Sequence, residues 1–327
     1  MNKANIKNIG VFTSGGDSPG MNAAIRAVVR TGLYHNIKVT GILRGYDGMI
    51  GGEFIPMERK SVANIIQRGG TILKTARSEE FRTKEGRAKA FEQLKNNGID
   101  ALIAIGGDGT FTGANIFHEE FNIPTLGLAG TIDNDLQGTD YTIGYDTAIN
   151  TVIDAVDKIR DTAESHDRLF IVEVMGRDSG LIALRSGIGS GAEAILIPET
   201  KTDVSALLKR LEISRKDKSS KIIIVAEGDD AGGGFEIAKI VKEKFPSIDT
   251  RVSILGHIQR GGSPSCMDRV LASRLGVGAV ESLLEGRTSE MIGIVNGKIH
   301  FTPFSSAIKH NKEVNSELLK IVDILSL

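Results

Sequence analysis

The sequence predicts an α/β protein of two lobes, each a mainly parallel sheet flanked by helices. Three observations carry this. The chain has 327 residues, 40% of them hydrophobic, which is too long for one minimal domain and suits two cores. Short apolar runs alternate with amphipathic stretches, the pattern of parallel strands covered on both faces. Three glycine-rich turns each follow an apolar run, where open α/β sheets bind their ligands.

The runs read as strands span 6–13, 38–43, 101–105, 124–128, 169–174, 194–197, 222–226 and 251–255. Helical periodicity occupies 21–34, 84–97, 148–165, 204–213 and 268–285. No repeat of 20–50 residues and no low-complexity segment interrupts the alternation. No Pro- or Ser-rich linker marks a boundary, so a chain that passes back and forth between lobes is expected. The polar, glycine-containing segment 135–144 is the expected hinge region.

Forty basic and 41 acidic side chains leave a formal charge of −1. A nucleic-acid binder would more often carry a net basic domain, so no nucleic-acid partner is expected. Cys266 stands alone, which rules out an intrachain disulfide and suits a reducing cytosol. The polar stretch 1–8 leads straight into a strand and no long apolar span follows, so the expectation is a cytoplasmic protein without a membrane partner.

The first turn, Thr13-Ser14-Gly15-Gly16-Asp17-Ser18-Pro19-Gly20-Met21-Asn22, links a strand to a helix. Glycines let the backbone approach an anion, and a helix N-terminus adds partial positive charge. It is neither a Walker A loop nor a dinucleotide fingerprint. The second, Gly106-Gly107-Asp108-Gly109-Thr110, sets a carboxylate among glycines, suited to a hydrated Mg²⁺ beside phosphates. The third, Gly130-Thr131-Ile132-Asp133-Asn134-Asp135, packs two carboxylates, a hydroxyl and an amide together. In an extended segment Asp133 and Asp135 would share a face, one taking a proton while the other orients it or the metal shell.

Read together, SGGDSPGMNAAIR (14–26), IGGDGT (105–110), GTIDNDLQGTDYTIGYDTA (130–148), VEVMGR (172–177) and LGHIQRGGSP (255–264) resemble the bacterial ATP-dependent 6-phosphofructokinases. The likeness runs from Ile9 to about Gly293. It implies two Rossmann-like lobes with the active site in the cleft between them. The larger, ATP-binding lobe would be 1–143 plus 257–308, and the smaller, sugar-phosphate lobe 144–256 plus 309–327. It implies transfer of the γ-phosphoryl group of ATP to the 1-hydroxyl of fructose 6-phosphate.

The resemblance also assigns residues. Gly15 and Gly16 lie beside the ATP phosphates, and Gly107, Gly109, Thr110 and Gly113 surround the nucleotide. Tyr46, Arg77 and Ser78 line the same site, and Asp108 holds Mg²⁺. Asp133 is the general base for the 1-hydroxyl, with Thr131, Ile132 and Asp135 around it. Arg77 and Arg177 stabilise the transferring group, since guanidinium forks match phosphate oxygens. Met175, Gly176, Arg177, Glu227, His257 and Arg260 take the sugar side.

Arg168 and Arg251 match arginines that reach a neighbouring subunit's 6-phosphate, implying a homo-oligomer, in this family a tetramer, with shared active sites. Arg26, Arg30, Arg59, Arg160, Lys216 and Lys218 match a regulatory site for ADP or phosphoenolpyruvate, with Glu193 toward the effector's Mg²⁺. Pyrophosphate-dependent relatives carry Asp where this chain has Gly109 and Lys where it has Gly130, so both positions favour ATP. Ala129, Ser78-Glu79 and Asp178-Ser179 depart from the family pattern without removing a proposed catalytic group. The alternatives are a pyrophosphate-dependent enzyme, a kinase of a related ketose phosphate, or a non-catalytic regulatory homologue.

Overall fold

A computed structural model describes residues 6–214, 221–308 and 314–325. In chain order come β1 (Asn8–Thr13), α1 (Met21–Tyr34), β2 (Lys38–Ile42), α2 (Gly45–Gly51), β3 (Phe54–Pro56), α3 (Lys84–Asn96), β4 (Ala101–Gly106), α4 (Asp108–Phe121) and β5 (Thr125–Ala129). Then follow α5 (Tyr145–Glu164), β6 (Leu169–Val174), α6 (Leu181–Ser190), β7 (Ala194–Leu196), α7 (Val204–Ser214), β8 (Lys221–Ala226), α8 (Gly234–Lys244) and β9 (Thr250–Ile254). The chain finishes with α9 (Cys266–Leu284), β10 (Glu290–Val295), β11 (Lys298–Pro303), α10 (Phe304–Ala307) and α11 (Ser316–Leu325).

These elements form two compact units. Residues 6–147 and 260–308 build the first, and 148–214, 221–259 and 314–325 the second. The chain thus leaves the first unit inside α5. The expected hinge segment 135–144 lies wholly within the first unit: Asp140 N–H bonds the carbonyl of Ile294, and Gly130 and Ile143 form a parallel bridge.

In the first unit the strands run β11-β10-β5-β4-β1-β2-β3, with β10, β5, β4, β1 and β2 parallel and the two outer strands antiparallel. Strands β1, β4 and β5 are buried at every residue, as parallel strands covered on both faces must be. One layer packs Ile9, Val11, Ile103 and Leu126 against α1 and α9. Gly276 makes the helix pair close: a Cβ there would lie 2.6 Å from that of Ala27. The other face carries Phe12, Leu102 and Ala104 with Tyr46, Phe81 and Phe117.

The second unit holds a four-stranded parallel sheet, β7-β8-β6-β9, with its own core of Ile171, Ile223, Val225, Leu211 and Val241. The elements the sequence reading passed over include β3 and the β10–β11 hairpin. The hairpin has a readable signal, Asn296-Gly297, both with positive φ (50° and 76°), as a two-residue turn demands. Helix α5 begins at Tyr145, earlier than its apolar periodicity, because a distant carboxylate receives its first N–H groups.

Candidate active site

In the first unit, all three glycine-rich turns leave the C-terminal ends of three adjacent parallel strands, β1, β4 and β5. They are laced together. Ser14 N–H bonds the carbonyl of Ile105, Thr110 Oγ1 donates to the carbonyl of Ser14 at 3.1 Å, and Gly130 N–H bonds the carbonyl of Gly106 at 2.9 Å. Gly106 sits where no side chain fits, since its Cβ would fall 2.5 Å from the Ser14 carbonyl.

The second turn becomes the first residues of α4, so Asp108 occupies the helix N-terminus and stays partly accessible. A Cβ on Gly107 would lie 3.6 Å from that of Thr131, which sets the second and third turns side by side. A Cβ on Gly109 would meet nothing within 4 Å, whereas one on Gly130 would press on Ile105, Met21 and Gly106 at 3.1–3.3 Å. Gly109 thus faces open space, and Gly130 is also required by packing.

The third turn differs from the extended segment expected for it. Residues 132–133 bend, and Asn134 adopts φ 53°, in the left-handed region. That breaks the alternation which would have put Asp133 and Asp135 on one face. Asp133 is 4% exposed and Thr131 8%, while Asp135 is partly accessible. Thr131 Oγ1 accepts the N–H of Asp133 at 3.2 Å.

The loop bearing Arg77 and Ser78 is tied to the first turn. Asn22, in that turn's helix, donates through Nδ2 to the carbonyls of Arg68 and Gly69 and accepts the N–H of Ile72. Thr13 Oγ1 donates to the carbonyl of Lys74 at 2.7 Å, and Thr75 Oγ1 to that of Gly15 at 2.7 Å. Arg77 itself is exposed and Ser78 partly so. Tyr46 is nearly buried: it stacks on Phe81, and its hydroxyl donates to the carbonyl of Thr110 at 2.6 Å. Burial holds that hydroxyl protonated by pushing its pKa far up. A Cβ on Gly113 would touch the Tyr46 ring at 3.0 Å, so Tyr46 forms the floor beneath Thr110 and Gly113.

Arg260 belongs with the first unit. Its Nη1 donates to the carbonyl of Asp17 at 3.1 Å, and the guanidinium lies over Gly16. The remaining residues expected on the sugar side lie in the second unit. Glu227, following β8, accepts through Oε1 the N–H of Gly176 at 3.2 Å and of Arg177 at 2.8 Å. Gly176 (φ 146°) and Arg177 (φ 53°) are thereby held in a tight left-handed turn after β6. Gln259, which sequence reasoning did not single out, is fully buried: its Oε1 accepts the N–H of Met175 and its Nε2 donates to the carbonyl of Gly256. His257 is exposed in the same short 3₁₀ turn.

Arg168 and Arg251 stand at the opposite, N-terminal edge of that sheet, where Arg251 pairs with Phe170. The six residues of β6 separate Arg168 from Met175, roughly 20 Å at the rise of a parallel strand. Asp249 joins the two arginines, accepting from Arg168 Nε at 2.6 Å and approaching Arg251 Nε at 3.0 Å. The hydrogen bond from Arg168 is the main reason the Asp249 carboxyl is held below its usual range. Arg251 also lines an open hollow of about 610 Å³ with Lys239 and Lys242.

Of the predicted regulatory residues, Arg26 and Arg30 lie one turn apart on α1 and Arg59 is in a 3₁₀ turn that packs against α1, all in the first unit. Burial, and then the charge of Arg30, lowers the Arg26 pKa. Arg160 and Glu193 lie in the second unit, where Arg160 donates to the Ser190 carbonyl and Glu193 is buried. Lys216 and Lys218 fall outside the described residues.

Among the described residues, no three or more His, Cys, Asp or Glu side chains gather as a metal cage. Single carboxylates such as Asp108, set at a helix N-terminus among glycines, fit a cation that brings most of its ligands as water and phosphate. No helix of the described residues is long and apolar enough to cross a membrane.

A family model described as Phosphofructokinase matches residues 8–283. An ATP-dependent 6-phosphofructokinase of Cytophaga hutchinsonii is 58% identical over 98% of both chains. One of Thermus thermophilus is 55% identical over 98% of this chain and all of its own. Among solved structures, the phosphofructokinase of Saccharomyces cerevisiae superposes with a TM-score of 0.89 at 39% identity over 98% of this chain, which spans about half (48%) of the yeast chain's length. A pyrophosphate-dependent phosphofructokinase from Marinobacter aquaeolei, 22% identical, covers 98% of this chain and 91% of its own with a TM-score of 0.85, a likeness of fold alone.

Proposed function

The chain belongs to the phosphofructokinase family, and on that premise we propose how its residues transfer the γ-phosphoryl group of ATP to the 1-hydroxyl of fructose 6-phosphate. It is an enzyme of glycolysis, giving fructose 1,6-bisphosphate and ADP. The observation that carries the residue assignment is the lacing of three glycine-rich turns on β1, β4 and β5, with the buried carboxylate of Asp133 in the third.

Phosphoryl transfer asks a protein mainly for alignment and charge stabilisation. Asp133 takes the proton of the 1-hydroxyl as its oxygen bonds to the γ-phosphorus, and ADP leaves with the electron pair of the broken P–O bond. Backbone N–H groups around Gly15, Gly16 and Gly107 to Gly109 face the donor's phosphates. Arg77 and Arg177 balance charge on the transferring group, and Arg260 over Gly16 adds a third guanidinium. Asp108 would hold Mg²⁺ with the nucleotide; that ion supplies charge neutralisation on the phosphate oxygens. Met175 to Arg177, fixed by Glu227 and Gln259, receive the sugar phosphate.

ATP rather than pyrophosphate is the donor, in keeping with the open space at Gly109 and the names of the most similar relatives. The span of β6 supports a shared site. Arg168 and Met175 are too far apart along one strand to touch one sugar phosphate, so Arg168 and Arg251 serve a second copy of the chain, within a tetramer. Regulation by ADP or phosphoenolpyruvate at Arg26, Arg30, Arg59, Arg160 and Glu193, and a cytoplasmic location, complete the reading.

The deciding experiment measures fructose 1,6-bisphosphate from fructose 6-phosphate with MgATP or Mg-pyrophosphate as sole donor, for the wild type and Asp133→Ser. Product with ATP alone, and a loss of turnover by orders of magnitude in the variant, are expected. Product with pyrophosphate alone would reverse the donor assignment. Near-normal turnover in Asp133→Ser would remove Asp133 as the base.

A further inference from the structure

We infer that Asn134 is a positioning residue for Asp133, a role that rests on Asp133 being the general base. Between Gly130 and Ile143 the chain leaves the end of β5 and returns to it: Gly130 N–H bonds the Gly106 carbonyl, Ile143 N–H bonds that of Ala129, and the two residues bridge. Asp133 lies near the start of this loop, outside any strand or helix, so no backbone ladder fixes its direction. A base on such a segment is aimed only if something else holds the loop still.

Asn134 does so across the neck of the loop. Its Oδ1 accepts the N–H of Thr142 at 2.9 Å, and its Nδ2 donates to the carbonyl of Asp140 at 3.2 Å. A second strut runs alongside, from Thr142 Oγ1 to the carbonyl of Thr131 at 2.6 Å, and Thr131 Oγ1 in turn receives the Asp133 N–H. The far side of the loop is anchored on β10: Asp140 N–H bonds the Ile294 carbonyl, Ile294 N–H bonds Thr139 Oγ1, and Asp140 Oδ2 accepts the N–H of Asn296. A continuous run of hydrogen bonds therefore joins the sheet to the residue beside the base.

The residue type answers two demands at once. The backbone is left-handed at φ 53°, which asparagine and glycine tolerate better than most residues. The clamp needs one donor and one acceptor on a short arm, which an amide has. Glycine would keep the turn and lose both arms. Aspartate would keep the acceptor, lose the donor and place a third charge between two carboxylates. At 4% exposure the amide is shielded from water that would otherwise compete for both bonds.

The test uses Asn134→Gly, which preserves the backbone conformation while deleting the clamp. Its kcat should fall ten- to a hundredfold, the order expected of a reacting group displaced by about 1 Å. KM for ATP and for fructose 6-phosphate should each stay within threefold. In an Asp133→Ser background the same change should cost nothing further, because there is no base left to aim. Thr142→Val, which removes the second strut and leaves residue 134 intact, should give the same signature, and thermal melts of each variant exclude simple unfolding. Wild-type kcat in folded Asn134→Gly, parallel rises in both KM values, or losses that multiply with Asp133→Ser would overturn the inference. Near-normal turnover in Asp133→Ser alone would instead sink the general-base reading beneath it.

Discussion

Asp268, in the first turn of α9, accepts the backbone N–H of Thr147 at 2.8 Å and also its hydroxyl, while its other oxygen takes the N–H of Gly144 at 2.8 Å. One carboxylate, wholly buried, thus caps the start of α5 from more than a hundred residues away in sequence. Ser265, the N-cap of α9, completes the join: its hydroxyl donates to the Asp146 carboxylate and its N–H donates to Thr147 Oγ1 at 2.9 Å.

Asp268→Asn should destabilise the fold by about 1–3 kcal/mol, because an amide turns an N–H group toward buried N–H donors. Burial outweighs the three donors and raises the Asp268 pKa. A carboxyl raised in the folded state binds its proton more tightly there than in the unfolded chain. Its contribution is complete below about pH 4, the unfolded value, and is lost as pH rises through the folded value. The gap between wild type and variant in urea melts should therefore narrow from pH 4 upward, and a gap that widens with pH would reverse the assignment.

Gly109 and Gly130 should respond differently to substitution. Gly109→Asp has room, so its melting temperature should stay near that of the wild type while KM for ATP rises tenfold or more from charge repulsion. Gly130→Ala forces a methyl group against Ile105 and Met21, and overpacking of this kind costs about 1–3 kcal/mol. Equal stability losses at both sites would mean that the space at 109 is not open.

Glu227→Ala releases the N–H groups of Gly176 and Arg177. KM for fructose 6-phosphate should rise at least tenfold with KM for ATP within twofold. Gly228→Ala should behave alike, since its Cβ would lie 2.1 Å from the carbonyl of Arg177. Steady-state kinetics against each substrate separates these outcomes from a general loss of fold, which would lower the active fraction and leave both KM values alone.

The site proposed to be shared between subunits predicts complementation. Arg168→Ala and Glu227→Ala should each be poorly active, yet hybrids refolded together should regain activity, because some interfaces would join an intact Arg168 to an intact Glu227. Activity of the mixture equal to the mean of the two variants would assign both residues to a single chain's site.

Helix α1 follows its apolar period residue for residue, and β6 matches its apolar run, because local patterning alone specifies them. The start predicted for α5 is late by three residues, since Asp146 and Thr147 interrupt the apolar period and the turn is capped by Asp268, a residue distant in sequence. Asp133 was legible from the density of polar groups around it; Asn134 was visible in the same motif, but the contact that gives it a role is with residues 140 and 142. Asp249 lay two positions before Arg251 with nothing local to mark it as the partner of Arg168.

Taken alone, the sequence determined the alternation of strands and helices and the three turns that end β1, β4 and β5, because periodicity and glycine content are local properties. Tertiary structure decided the left-handed kink at Asn134, the floor that Tyr46 makes under Thr110, and the placing of Arg260 over Gly16. Each of these depends on hydrogen bonds or packing completed by residues brought together only when the chain is folded, and no sequence period records such partners.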